Sequence, residues 1–269
     1  GSVAKADAVS RVNAYLGNNT QLTGRNLTVS ATQALVGSGA NVSADATGAS
    51  GALFAGLTAT AAHADHDSRV SSTVGDDSRL TLTGTALVKA TNDTHQQADA
   101  SGFAAGIVAA GFNEARATSN TITTAALGDN VHVAAPVTEP ATLMAAVSVL
   151  ADGTDRNRAN ATSGSGGLIA GSAATATTSS TSRTTAPTGR GDAARRIAAK
   201  AFTLKATHLT DYNAVVNSVN ASVVGASGAR AVNAVDSTVR AEIGAGGRVS
   251  ANDIVVLAGN SSTKRWINA

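Results

Sequence analysis

Apolar and polar residues alternate in short runs along the chain. In Leu27-Thr28-Val29-Ser30-Ala31 every second side chain is apolar, and Ile254, Val256 and Ala258 keep the same spacing. A period of two over runs of this length predicts strands, with alternate residues on opposite faces. The runs are bounded by turn-forming residues: Gly17-Asn18-Asn19, Gly75-Asp76-Asp77 and Gly244-Ala245-Gly246-Gly247. Two Ala-rich segments have good helix propensity instead, Pro140–Leu150 and Asp192–Ala201. The second matches blocks that read as strand elsewhere, and strand is expected there. For Pro140–Ala146, which has no clear counterpart, a short helix is an alternative.

The runs repeat. The anchor Arg11-Val12-Asn13-Ala14-Tyr15-Leu16-Gly17 returns as Arg69 to Gly75 and as Val239 to Gly244, with weaker copies at Ile122 to Gly128 and Arg183 to Gly189. The anchor glycines 17, 75, 128, 189 and 244 fall at the spacing of a solenoid-type repeat. A second block, Leu22 to Ala31, is reproduced by Ile197 to Ala206 and Val249 to Ala258, and in part by Leu82–Leu87 and Val147–Ala151. A third, Gly51 to Gly56, matches Gly166 to Gly171 without a gap. Residues 3–269 therefore read as one repeat domain of about four and a half units. Gly1-Ser2 reads as an expression scar on a piece of something larger.

Composition narrows the architecture. Of 269 residues 58 are Ala, only eight are Met, Trp, Tyr or Phe, and none is Cys. Too little large apolar volume remains for a wide α/β core. The lack of Cys excludes disulfides, thiolate metal sites and a Cys nucleophile. Net charge is +2, with no basic tract for a nucleic-acid partner and no apolar run long enough to span a bilayer. A narrow stack of strands suits these small side chains. The expected fold is all-β, a right-handed parallel β-solenoid (β-helix) of 55–60-residue repeats. With about 18–20 residues per coil, each unit would hold three coils and the chain about 14, in a rod some 65 Å long. An array of small antiparallel sandwiches is the alternative.

Candidate chemistry is sparse. Arg190-Gly191-Asp192 is a tripeptide of the integrin-binding type, expected on a protruding insertion. The third repeat carries a further insertion at Val131–Thr142. His63, Asp65, His66 and Asp67 are candidate metal ligands, weighed against solvated decoration. Thr58-Ala59-Thr60, Thr81-Leu82-Thr83 and Thr175-Ala176-Thr177 suggest an ice- or carbohydrate-binding face, but do not recur at every coil. Arg11, Arg69 and Arg183 share one position and read as surface charge. No nucleophile elbow, phosphate loop or paired-carboxylate motif appears, so no catalytic residue and no cofactor is expected.

The blocks Val-x-Ala-Tyr-Leu-Gly and Leu-Thr-Gly-x-x-Leu-Thr-Val-Ser-Ala-Thr, with the Ala/Gly-rich tract between them, resemble repeats of very large secreted bacterial proteins. These are the leukotoxin-like and filamentous-haemagglutinin-like adhesins. The resemblance implies an extracellular, filamentous segment, secreted or at the cell surface. It would act as a stalk or as an interaction surface. The implied partners are a host or neighbouring cell surface, a polysaccharide matrix, and neighbouring repeats of the same larger chain. A carbohydrate- or ice-binding module and a polysaccharide lyase-like β-helix are the alternatives.

Overall fold

The computed structural model describes residues 1–35, 39–136, 143–192 and 196–265. These residues form twelve strands and no helix. In chain order they are β1 (Ser2–Leu16), β2 (Gln21–Gly24), β3 (Leu27–Gln33), β4 (Val42–Gly51), β5 (Ala55–Val74), β6 (Arg79–Leu82), β7 (Thr85–Ala105), β8 (Val108–Leu127), β9 (His132–Ala134), β10 (Met144–Pro187), β11 (Ile197–Glu242) and β12 (Val249–Lys264). All belong to one large parallel sheet.

The pairing follows the sequence repeat. Ser2 lies opposite Thr60, Ala55 opposite Val108, Val108 opposite Ile169, and Ile169 opposite Val224. Partners are separated by one unit throughout, from the 52 residues between Ile197 and Val249 to the 64 between Val133 and Ile197. Each repeat therefore contributes one layer, not three coils. The expectation of 14 short coils fails because nothing interrupts the long runs: β5 extends for 20 residues and β7 for 21. Five layers at about 4.8 Å span about 24 Å along the stack, while a 20-residue strand spans about 66 Å across it.

Within a layer the chain makes two long runs that face each other. Hydrogen bonds between inward side chains close the space: Ser68 to Asn92 at 2.8 Å, and Asn157 Nδ2 to Ser119 at 2.8 Å. Inward residues change character along the run. Nearest the anchor turn the core is aliphatic, with Val70, Val74, Leu80, Val88, Val149 and Leu204 all buried around Phe202. Farther along it is almost all alanine, including Ala62, Ala64, Ala98, Ala115, Ala159 and Ala176. Burial of each Val, Leu or Phe stabilises by about 1.5–3 kcal/mol. An Ala contributes less, but lets the two runs approach closely.

The anchor turns stack like the strands. Asn18 Oδ1 accepts the Asp76 N–H (2.9 Å), Asp76 Oδ1 that of Asp129 (2.7 Å), and Asp129 Oδ1 that of Arg190 (2.6 Å). One residue later Asn19, Asp77 and Asn130 adopt φ of 55°, 56° and 54°. Asn and Asp tolerate this left-handed region better than most residues.

Three further expectations need correction. Met144–Ala146 lie in β10, so the helical alternative for Pro140–Ala146 fails there; Pro140–Thr142 are outside the described residues. Pairing with β7 and β11 supplies the strand hydrogen bonds that override local propensity. Of Val131–Thr142, residues 137–142 are also outside the described set, while His132–Ala134 form a short ladder strand against β6. The ungapped match of Gly51–Gly56 with Gly166–Gly171 slips by one residue. Gly51 aligns with Gly166 through Ala105, but Ala55 aligns with Ile169 through Val108. The corner absorbs the slip, because carrying it into a run would turn every inward side chain outward.

Candidate functional site

A buried polar seam separates the aliphatic and alanine zones. It starts where the inward series Ala86, Val88, Ala90 continues as Asn92, Thr94 and Gln96 before returning to Ala98. The facing runs supply His66, Ser68, Ser119, Thr121, Ser180 and Thr184, and the next layers Asp155, Asn157 and His208, all buried.

Asp155 is the centre of the seam. It is fully buried, and its two carboxylate oxygens accept three hydroxyls: Thr94 at 3.1 Å on Oδ1, with Thr121 at 3.1 Å and Ser180 at 2.9 Å on Oδ2. His208 Nε2 lies 3.2 Å from Oδ2, at ion-pair distance but without the alignment of a hydrogen bond. Its Nδ1 is 3.1 Å from the Thr184 hydroxyl. Gly153 leaves the room for this ring, since a Cβ there would stand 2.5 Å from Nδ1. Thr184, His208 and Asp155 thus offer the hydroxyl, imidazole and carboxylate of a nucleophilic triad. The imidazole is 0% exposed and the carboxylate 1%, so no substrate reaches them. Their arrangement is that of a core network.

His66 is the second buried imidazole. The Gln96 amide nitrogen donates to its Nδ1 at 3.1 Å, which leaves Nε2 to donate to Ser10 Oγ at 3.2 Å. Burial holds its pKa below the usual 6.5, against the opposing pull of Asp155 and Asp67. His95 is lowered too, by burial first and then by Arg158. The unfolded chain takes up these protons near pH 6.5, and the folded chain only at lower pH. Stability is therefore full above that value and falls as pH drops through the folded-state pKa values. The urea midpoint is expected to fall between pH 7.5 and 5.5, and to fall less in a His66→Gln/His95→Gln double variant. An equal fall in the double variant would exclude these rings as the cause.

The metal candidates do not converge. His63, Asp65 and Asp67 point outward along β5 and His66 points into the seam. Among the described residues no group of three or more His, Asp or Glu is placed to hold a metal ion. Asp67 sits 3.8 Å from Arg69, and His63 3.8 Å from Glu114. In the fourth layer Thr177 and Ser180 take the places of His63 and His66.

Arg190-Gly191-Asp192 begins in the fourth of the stacked turns. The Arg190 carbonyl accepts from Asn130 N–H at 2.7 Å, and Gly191 N–H donates to the Ala245 carbonyl at 3.0 Å. The backbone of Arg190 and Gly191 is held between neighbouring layers rather than looped out. The Arg190 and Asp192 side chains are exposed, and residues 193–195 lie outside the described set.

One further place went unnoticed in the sequence. β3 ends at Gln33, opposite Asn92, and β4 begins at Val42, opposite Gln96. The ladder between the first and second layers thus opens beside His95. Asn41 closes the far side, its N–H donating to the His95 carbonyl at 2.8 Å and its Oδ1 accepting the His95 N–H at 2.7 Å. A partly open cavity of about 250 Å³ lies here, reached by residues of all five layers, Leu35 through Arg265. Arg156 pairs with Asp93, and Arg265 with Asp211. Arg158 has no carboxylate partner among the described residues. Asn213 is 5% exposed, and its Nδ2 has no acceptor. The alternation of β11 breaks here, since the adjacent residues Thr210 and Asp211 are both buried. Comparison with family models, curated proteins and solved structures finds no match for this chain.

Proposed function

We propose that the chain is a run of a right-handed parallel β-solenoid that serves a structural or adhesive role in a filamentous bacterial protein, secreted or at the cell surface. The right hand follows the rule for parallel crossover connections. The observation that carries the reading is the in-register stacking of successive repeats through both long runs and through the anchor turn. Each layer offers the next a full row of backbone donors and acceptors, so the unit is extended by repetition. Neighbouring repeats of a larger chain are then its first partners, and a cell surface or polysaccharide matrix its outer ones.

The outward columns favour this reading over an ice-binding face. One runs Lys5, His63, Arg116, Thr177, another Val9, Asp67, Asn120, Thr181, and a third, Thr32, Thr91, Asp152, Thr207, is broken by an aspartate, so none of these columns keeps threonine in every layer. The burial of Thr184, His208 and Asp155 counts against hydrolysis at that network. With one layer per repeat, this solenoid is a broad stiff slab that gains length slowly. Small-angle scattering on the chain and on its tandem duplicate tests this. The duplicate is expected to lengthen the stack by about 24 Å and to keep the same cross-section. Two independent bodies on a flexible joint would overturn the proposal.

A further inference from the structure

From the cavity between β3, β7, β10 and β11 we infer a binding site for a small oxyanion: a carboxylate, sulfate or phosphate group and the short chain or ring that bears it. Four observations converge there. The space is real, about 250 Å³, and arises where the ladder of the first layer parts between Gln33 and Val42. Asp211, a carboxylate lining the cavity, is already paired with Arg265, and the lining Arg156 is paired with Asp93. That leaves the Arg158 guanidinium as uncompensated positive charge, with five N–H donors in a fork suited to planar and tetrahedral oxyanions. Asn213 supplies the fourth: its side-chain amide is 95% buried, lines the cavity, and offers N–H groups with nothing to accept them. A buried donor left unmatched is costly, and a bound anion would remove that cost.

The chemistry selects the sign of the ligand. Arg156, Arg158, Arg265 and Asn213 can donate, and the carboxylates of Asp93 and Asp211 are already held by arginines. A cation would meet three guanidinium groups, and an apolar ligand would leave the Asn213 donors unmatched. The volume is below the roughly 300–1,000 Å³ of a pocket for drug-sized molecules. It suits one acidic group with its immediate carrier. The inference does not depend on the proposed filament role. A solenoid that stores no ligand and one that holds an acidic group on its flank stack in the same way.

The test is titration of the intact chain with sodium sulfate, phosphate, acetate and glucuronate, followed by amide chemical shifts. Saturable shifts at Arg158 and Asn213 are expected for at least one of them. Arg158→Gln is expected to weaken binding at least tenfold, and Asn213→Ala severalfold. Arg116→Gln, an exposed arginine on the other run, should leave it unchanged. Preference for glucuronate over acetate would identify a sugar acid as the source, whereas preference for sulfate or phosphate would identify a free or esterified tetrahedral anion. Should Arg158→Gln melt early, Asn213→Ala carries the test, because it removes a buried unpaired donor and no packing partner. The inference is overturned if none of the four anions saturates, or if binding is indifferent to both Arg158→Gln and Asn213→Ala.

Discussion

Asp155→Ala is expected to lower the free energy of unfolding by about 3–5 kcal/mol, the cost of taking one partner out of a buried charge network. The size follows from what the carboxylate satisfies. Thr94, Thr121 and Ser180 each donate to it from a different strand, and all three hydroxyls are buried. Without the acceptor they cannot turn to water, and a hydrogen bond to a charged group contributes roughly 1.5–3 kcal/mol. His208 makes no aligned hydrogen bond to the carboxylate, so the hydroxyls account for most of the loss. Asp155→Asn is expected to cost less, since it keeps one acceptor oxygen. Asp152→Ala, outward and three residues earlier, gives up a single hydroxyl donor, Thr207, and should cost less than Asp155→Ala. Urea unfolding of the three variants measures the order. A loss below about 1 kcal/mol for Asp155→Ala would mean that water enters the seam and replaces the carboxylate.

The seam also shows how far the sequence could be read. Alternation in Leu27 to Ala31 and in Ile254 to Ala258 is strong because aliphatic and hydroxyl residues contrast sharply. Those runs, the anchor glycines and the all-β parallel architecture were legible from that contrast. In the middle of each run the contrast disappears: Asn92, Thr94, Gln96, Asp155 and Asn157 are polar yet point inward. Hydropathy reads them as surface. Counting by twos from Val88 would have placed them correctly, since nothing between Val88 and Ala98 breaks the strand. The number of layers was misjudged as well. An assumed length of about 18–20 residues per coil divided each unit into three, whereas the polar middle of each run continues a single strand of 20 or 21 residues. The cavity was not legible at all. Its residues are far apart in sequence, and they meet only because positions 95, 156 and 211 fall in one column.

Gly189→Ala is the second large effect expected, at roughly 3 kcal/mol, the upper end of overpacking losses. The anchor glycines mark where one turn lies directly on the next. A Cβ on Gly189 would stand 2.3 Å from the Gly128 carbonyl carbon and 2.4 Å from the Asp129 nitrogen. Both are backbone atoms of the neighbouring layer, held in place by the turn ladder: the Asp129 N–H binds Asp76, and its side chain binds Arg190. No rotamer relieves such a contact, so the layers must part, and hydrogen bonds such as Gly189 N–H to the Leu127 carbonyl, 2.7 Å, must lengthen. Gly17 is the internal control. It occupies the same position in the first layer, yet a Cβ there would meet nothing within 4 Å. Gly17→Ala is therefore expected to change stability by no more than about 0.5 kcal/mol. The contrast reverses if another layer is stacked in front. In a tandem duplicate the glycine equivalent to Gly17 in the second copy lies against the last turn of the first, and Ala there should cost as much as at Gly189. Equal losses for Gly17→Ala and Gly189→Ala in the single chain would show that the anchor glycines serve the turn itself and not the stacking of layers.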